Sequence, residues 1–300
     1  MWYLMMLLLC PALCSTLPQD GSLSITVRKR NDLATGSSCN CQGLKCGLVG
    51  RTNRVVGGSE TTLTELPWIA AMFYKGKLYC GAALVSNEHL VTAAHCINRV
   101  DKRHVEIVFG SHNISDVVEA GRQTRRVGDW WAHPGFQRRS FNNDIGVIRL
   151  SEPLVLGTDV RPVCLPESGG DYVGQHAIVA GWGRVSEKGR NSEVLRKVRV
   201  PIMSNDECKT KKYRPSEITD NMVCAGYDQG KIDACQGDSG GPMMFETKNN
   251  AGQRQVDLIG VVSWGQGCAR PGYPGVYTRV ENFSNFLRQQ IGASCLCPRN

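Results

Sequence analysis

Asp233-Ala234-Cys235-Gln236-Gly237-Asp238-Ser239-Gly240-Gly241-Pro242 is the run on which the reading of this chain turns. Ser239 stands between an acid and two glycines. A serine hydroxyl is a weak nucleophile unless a base sits beside it and its position is fixed and exposed. Glycines on either side let the backbone turn where a Cβ would resist. They also bring backbone N–H groups close to a ligand, which is how a site for a developing oxyanion is built. The amides of Gly237 and Ser239 are the candidate donors, and Pro242 stiffens the exit. Alone, the run reads equally well as an ordinary glycine-rich turn.

Two other runs change the balance. Val91-Thr92-Ala93-Ala94-His95-Cys96 puts a histidine just after an apolar strand, and Asn142-Asn143-Asp144-Ile145-Gly146-Val147-Ile148 puts an aspartate just before one. Singly, such a histidine reads as structural and such an aspartate as a turn residue. Together with Ser239 they form a possible proton-passing set. The imidazole can take the hydroxyl proton on one nitrogen while a carboxylate accepts from the other and fixes the tautomer.

Around these runs the chain has the texture of an all-β protein. Trp68–Phe73, Ala82–Val85, His89–Thr92, Val105–Phe109, Ile145–Leu150, Ala177–Ala180, Gln255–Val262 and Gly275–Val280 are short apolar or alternating stretches broken by Gly, Pro, Asn and Asp. Their length and their Val and Ile content favour strands, closed into barrels. Helical spacing is clear only near the end, where Phe283, Phe286, Leu287 and Ile291 fall on one face after Asn282. No fixed-period repeat is visible.

Thr-Ala-Ala-His-Cys, Asn-Asn-Asp-Ile and Gly-Asp-Ser-Gly-Gly-Pro, in that order, resemble the chymotrypsin-like (trypsin) family of serine endopeptidases, with the match running over residues 55–292. The resemblance implies two packed six-stranded antiparallel β-barrels with a C-terminal α-helix, His95 and Asp144 on the first and Ser239 on the second. It implies Ser239 as nucleophile, His95 as general base and then acid, Asp144 as its orienting carboxylate, and the Gly237 and Ser239 amides as the oxyanion hole. It makes Asp233 the floor of the pocket for the residue before the scissile bond, with Ser263, Trp264, Gly265 and Gly275 as walls. Ala234 beside that floor lacks a hydroxyl that could assist a lysine ammonium, so a bidentate guanidinium is favoured. Phe141 and Trp264 line the neighbouring subsites, although core packing explains Phe141 as well.

Composition agrees with an exported protein. The chain has 300 residues, 41% of them hydrophobic, a net charge of +8 and 14 cysteines. So many cysteines, without CxxC and paired-histidine spacing, read as a disulfide framework rather than a metal site. Residues 1–14 read as a signal peptide too short to span a bilayer, so the location expected is secreted and extracellular. Cleavage after Cys14 leaves an even number of cysteines. Residues 15–54 are a polar propeptide containing Cys39, Cys41 and Cys46, residues 55–292 the peptidase domain, and residues 293–300 a Cys-x-Cys tail. No membrane anchor, cofactor or metal is expected. The basic clusters Arg122–Arg126, Arg138–Arg139 and Lys209–Lys212 read as solvated surface rather than a nucleic-acid or heparin site.

The resemblance also gives meaning to Arg54-Val55. Cutting there would free the Val55 ammonium to pair with Asp238 and order the pocket, making the chain a zymogen activated by a trypsin-like protease. Family pairing implies Cys80–Cys96, Cys208–Cys224 and Cys235–Cys268, with Cys46–Cys164 tethering the propeptide. Cys39, Cys41, Cys295 and Cys297 are left to join propeptide to tail in an open order. Ala177 and Phe245 stand where relatives often have a further cysteine pair. Ser111 and Arg122 replace the two glutamates of a calcium loop found in some relatives, which argues against calcium. Asn113 and Asn282 head glycosylation sequons, and Asn282 is alternatively a cap for the last helix. Expected partners are proteins or peptides with Arg or Lys before the scissile bond, the activating protease and macromolecular protease inhibitors. The alternatives are a catalytically silent homologue acting as a binding or adaptor protein, and a polyanion binder using the basic clusters.

Overall fold

The computed structural model describes residues 41, 43–49, 59–167, 169–230, 237–249, 251–292 and 295–299. Residues 1–14, Cys39, the Arg54-Val55 bond, Asp233, Ala234 and Cys235 lie outside the described residues.

In chain order the elements are β1 (Ser59–Glu60), β2 (Ile69–Tyr74), β3 (Lys77–Leu84), β4 (His89–Thr92), α1 (Ala94–Ile97), β5 (Val105–Phe109), β6 (Gln123–Ala132), β7 (Gly146–Leu150), β8 (His176–Gly181), β9 (Arg196–Met203), α2 (Asn205–Lys209), β10 (Met222–Ala225), β11 (Pro242–Lys248), β12 (Arg254–Trp264), β13 (Gly275–Arg279) and α3 (Ser284–Ile291). They form two six-stranded antiparallel β-barrels and a C-terminal helix. The first closes in the order β2-β3-β4-β7-β6-β5. The second runs β9-β10-β13-β12-β11-β8 and closes through β8–β9, with the two-residue β1 added on the free side of β9. Closure leaves few unpaired edges, which otherwise invite association with other chains.

The strands form because their apolar residues meet inside these barrels. Trp68, Leu84, Leu90, Ile107 and Ile148 fill the first core, and Val179, Val200, Val223, Met243 and Tyr277 the second. Ala177 and Phe245 belong to the second cluster, where Phe245 packs on Tyr172 with ring centroids 4.9 Å apart. In α3, Leu287 and Ile291 are buried, as the helical spacing expects. Asn282 does not cap that helix. It lies in the preceding 3-10 turn Val280–Phe283, and its amide donates to Asp220 O and Asn221 Oδ1. Phe283 holds the N-cap position and makes no side-chain cap. Among the described residues no helix is long and apolar enough to cross a membrane.

Residues on both sides of Arg54-Val55 are fastened to the same body. Cys46 is bonded to Cys164 and Cys41 to Cys297, while Cys80–Cys96 and Cys208–Cys224 each staple a separation of 16 residues. In the chain-entropy account each short loop contributes about 3 kcal/mol. Cys268 and Cys295 are also disulfide-bonded. Leu48 bridges Gln255 on β12, and the Val256 amide donates to Gly47 O at 2.9 Å. Gly47 has φ +69, and a Cβ there would stand 2.4 Å from Val256 O, so this crossing requires glycine. The Cys46 amide donates to Pro298 O at 3.0 Å, which brings the tail over the same segment.

Candidate active site

Each candidate side chain sits where a strand ends. β4 stops at Thr92, and the single turn of α1 turns His95 back toward the junction of the barrels. Phe141 and Asn143 take positive φ values of 55 and 58 in the turn before β7, a conformation that L residues seldom adopt. That turn delivers Asp144 to a fully buried position.

A buried carboxylate needs donors, and Asp144 has three. The His95 amide donates to Oδ1 at 2.8 Å, the His95 Nδ1 contact to Oδ2 is 2.7 Å, and Ser263 Oγ donates to Oδ2 at 2.5 Å. Thr278 Oγ1 also donates to the Asp144 carbonyl at 2.6 Å. A carboxylate against Nδ1 assigns the proton to that nitrogen and leaves Nε2 with a lone pair. Nε2 faces the end of the Cys80–Cys96 disulfide. Cys96 Sγ lies 3.6 Å from His95 Nε2 and 3.6 Å from Ser239 O, so serine and histidine flank one sulfur. No hydrogen bond joins Ser239 Oγ to His95 Nε2, and such contacts are often loose until a substrate is bound.

The backbone around Ser239 is pinned. Gly81 N donates to Ser239 O at 2.7 Å, Gly240 N to Val262 O at 2.8 Å and Gly241 N to Asp238 O at 2.8 Å. Gly240 has φ +78, and a Cβ there would come within 2.3 Å of Thr92 Oγ1, so no other residue fits between the barrels. Among the described residues the amides of Gly237 and Ser239 donate to no protein group. Asp238 Oδ1 accepts from Gly183 N at 2.7 Å, and its carboxylate is packed so closely that a Cβ on Gly181 or Gly183 would overlap it.

Aromatic side chains wall this centre. The Phe141 ring stands edge-on to His95 at 5.5 Å and packs toward Phe136. Trp264 meets Tyr213 edge-on at 5.0 Å, and the Tyr213 hydroxyl donates to Pro274 O and accepts from Gln266 N. Among the described residues a Cβ added at Gly265 would meet only the Tyr213 hydroxyl, at 3.8 Å, and Gly275 opens β13. The sequence marks Ser263 only as a wall residue; its hydroxyl is a third donor to Asp144. Thr278 and Tyr213 carry no sequence signal, since neither lies in a motif and only the closed barrel brings them here.

The loop of residues 111–122 has an internal cation. Arg122 Nη1 donates to Ser111 Oγ at 3.0 Å, Asp116 O at 3.2 Å and Ile114 O at 3.4 Å. Glu119 accepts from Ser111 Oγ and from the amides of His112 and Asn113.

Two closed barrels meeting at this serine, histidine and aspartate place the chain in a single family. A family model described as Trypsin matches residues 55–287, and the chain belongs to that family of serine protease domains. It is 39% identical to Cationic trypsin-3 of Rattus norvegicus over 243 residues, which is 81% of this chain and 91% of that protein. It is 38% identical to Serine protease 56 of Homo sapiens over 244 residues, covering 80% of this chain but 39% of that longer protein.

Proposed function

We propose that the chain is a secreted serine endopeptidase that cleaves after Arg, and less readily after Lys, once its own Arg54-Val55 bond has been cut. The observation that supports this most is the buried Asp144 carboxylate accepting from both His95 nitrogen donors and from Ser263. In the reaction Ser239 Oγ attacks the peptide carbonyl carbon and His95 Nε2 takes the hydroxyl proton. The imidazolium is stabilised by Asp144, and the tetrahedral oxyanion by the Gly237 and Ser239 amides, each such donor contributing about 3–4 kcal/mol. His95 then gives its proton to the leaving amine as the C–N bond breaks. Water repeats the sequence on the acyl ester and regenerates Ser239.

Asp233 at the pocket floor supplies the preference for a cation, and Ala234 beside it the preference for guanidinium over ammonium. On activation the Val55 ammonium pairs with Asp238, whose carboxylate already borders Gly183 and so the wall behind Gly237. The Cys46–Cys164 and Cys41–Cys297 bonds keep residues 15–54 attached after the cut. Export through residues 1–14 suits this disulfide content. A macromolecular inhibitor would occupy the same cleft as a substrate.

The test uses the full chain cut at Arg54, incubated with matched arginyl and lysyl peptides and with an active-serine phosphonate. Labelling of Ser239 and faster turnover of the arginyl peptide are expected. No labelling and no hydrolysis would overturn the assignment in favour of a silent homologue. Equal or faster turnover of the lysyl peptide would remove the Ala234 argument alone.

A further inference from the structure

Three basic clusters stand out in the sequence, and the fold treats them differently. In the first, Arg122 and Arg125 donate to loop carbonyls and Arg126 pairs with Glu106. In the last, Lys211 pairs with both Glu207 and Asp228, Lys209 lies 4.0 Å from Asp206, and Lys212 donates to Pro271 O over the Tyr273 ring. Arg138 and Arg139 are exposed and make no hydrogen bond or ion pair with any group among the described residues.

Their position is tied to the site. Gln137 and Asn142 pair as an isolated bridge, Ser140 Oγ donates to Gln137 Oε1, and residues 138–141 form the tip of this small hairpin. One flank of the tip is Phe141, edge-on to His95 at 5.5 Å. Asn142 is anchored by Thr219, whose hydroxyl donates to its Oδ1 at 2.9 Å, so the hairpin does not hang free. Arg139 is two residues from Phe141, which allows at most about 7 Å of backbone between them. Two exposed arginines, with no hydrogen bond or ion pair among the described residues, therefore lie two and three positions before the aromatic residue that borders the imidazole.

We propose that Arg138 and Arg139 select substrates with acidic residues at the third and fourth positions before the scissile bond. This rests on the peptidase reading above, in which the residues before the bond run past Phe141 and Trp264. An extended chain advances about 3.3 Å per residue, so those two positions lie about 8–12 Å from the bond, on the side that Phe141 borders. Rim charges of this kind act on encounter and on selectivity, and they weaken with salt.

The chain's own activation bond bears on this. Arg51-Thr52-Asn53-Arg54 places Thr52 third and Arg51 fourth before Val55. A guanidinium at the fourth position meets two others, so the activated enzyme is a poor activator of its own zymogen. A different protease would make that cut, and the substrates of this enzyme are other proteins carrying acid ahead of the arginine.

The experiment compares the activated full chain on two peptides that differ only in Glu-Glu or Ala-Ala at the third and fourth upstream positions, at low and high salt. A third peptide carries the acids downstream. The expected preference for upstream Glu-Glu is about five- to tenfold at low ionic strength, falling toward twofold in high salt. The ratio should collapse toward one in the double variant Arg138→Gln/Arg139→Gln. A Ser239→Ala zymogen carrying Arg51→Glu should be cut at Arg54 several-fold faster by the activated enzyme than one retaining Arg51. Equal upstream rates, or a preference for downstream acid, would overturn the proposal while leaving the peptidase reading standing. Binding of the same peptides to cut Ser239→Ala protein separates the two ideas. A Glu-Glu preference in binding without hydrolysis by the unsubstituted chain keeps this proposal and sinks the peptidase reading. Equal binding without hydrolysis sinks both.

Discussion

Ser263 Oγ and Asp144 Oδ2 are 2.5 Å apart, a hydrogen bond that crosses from β12 of the second barrel to the segment leading into β7 of the first. Asp144 is fully buried, so each donor it loses leaves its charge less compensated. Replacing Ser263 by Ala removes one donor of three and should lower kcat about tenfold, corresponding to about 1.4 kcal/mol. Asp144→Asn reverses the tautomer of His95 and should cost about four orders of magnitude. Both are read from kcat on an arginyl amide. An unchanged kcat in Ser263→Ala would mean that the His95 contacts alone hold the carboxylate.

Arg299, near the end of the chain, sets its guanidinium against Asp257 with Nη1–Oδ1 at 2.9 Å and Nη2–Oδ2 at 3.0 Å, and donates also to Leu165 O. Burial pushes the Asp257 carboxyl up, and Arg299 opposes that shift. Arg299→Ala would strand the carboxylate and should cost about 2–3 kcal/mol at neutral pH, a breakage penalty for a buried pair trimmed for the partial exposure of Arg299. A carboxyl whose folded pKa is raised loses stability as pH rises through that pKa. The defect should therefore be larger at pH 7 than at pH 4. Adding Asp257→Asn should restore most of the loss. Urea unfolding with disulfides intact measures all three.

These two pairs mark what could be read from the chain and what could not. His95, Asp144 and Ser239 each lie in a contiguous run, so local order announces them. Ser263 meets Asp144 across 119 positions of sequence, and only barrel closure creates that contact. β6 and β9 carry Arg125, Arg126, Arg196, Lys197 and Arg199, and their charged faces hide them from a search for apolar runs. The C-terminal helix showed because its buried face repeats at helical spacing. Cys41 and Cys297 sit in two Cys-x-Cys pairs of identical form, so spacing cannot choose a partner; the tail's path over Cys46 does. The pairing of Asn282 with Asp220 and Asn221 replaced the helix cap, because Phe283 intervenes before the helix starts.

Arg122 stands among Ser111 Oγ, Ile114 O and Asp116 O, the kind of oxygen set a hard cation prefers. With its guanidinium in place, chelation should leave the thermal midpoint unchanged. Arg122→Ala should loosen residues 111–122, seen as faster nicking by an added protease and a midpoint a few degrees lower, as expected for a loss of about 1 kcal/mol. Arg122→Glu should place a carboxylate beside Glu119 and make the midpoint rise with added calcium. A calcium response in the unsubstituted chain would contradict the internal-cation account.

Stability should also fall in mild acid, with a source that can be located. His89 is buried on β4 with Nδ1 3.0 Å from Ser86 Oγ. Burial holds its pKa below the ordinary value, Arg149 adds to the depression, and Glu88 opposes it. His133, edge-on to Phe283 and Phe286, is depressed by burial as well. In both cases the unfolded chain binds a proton more readily than the folded one. Stability is therefore complete above about pH 6.5, the unfolded value, and declines as pH falls from there toward the folded value. One fully linked proton gives a slope of at most about 1.4 kcal/mol per pH unit. Urea unfolding between pH 5 and 7 should show a slope of this sign, with at most one such proton from each histidine, and His89→Gln should reduce it while leaving the part due to His133. An unchanged slope in His89→Gln would place the acid sensitivity elsewhere.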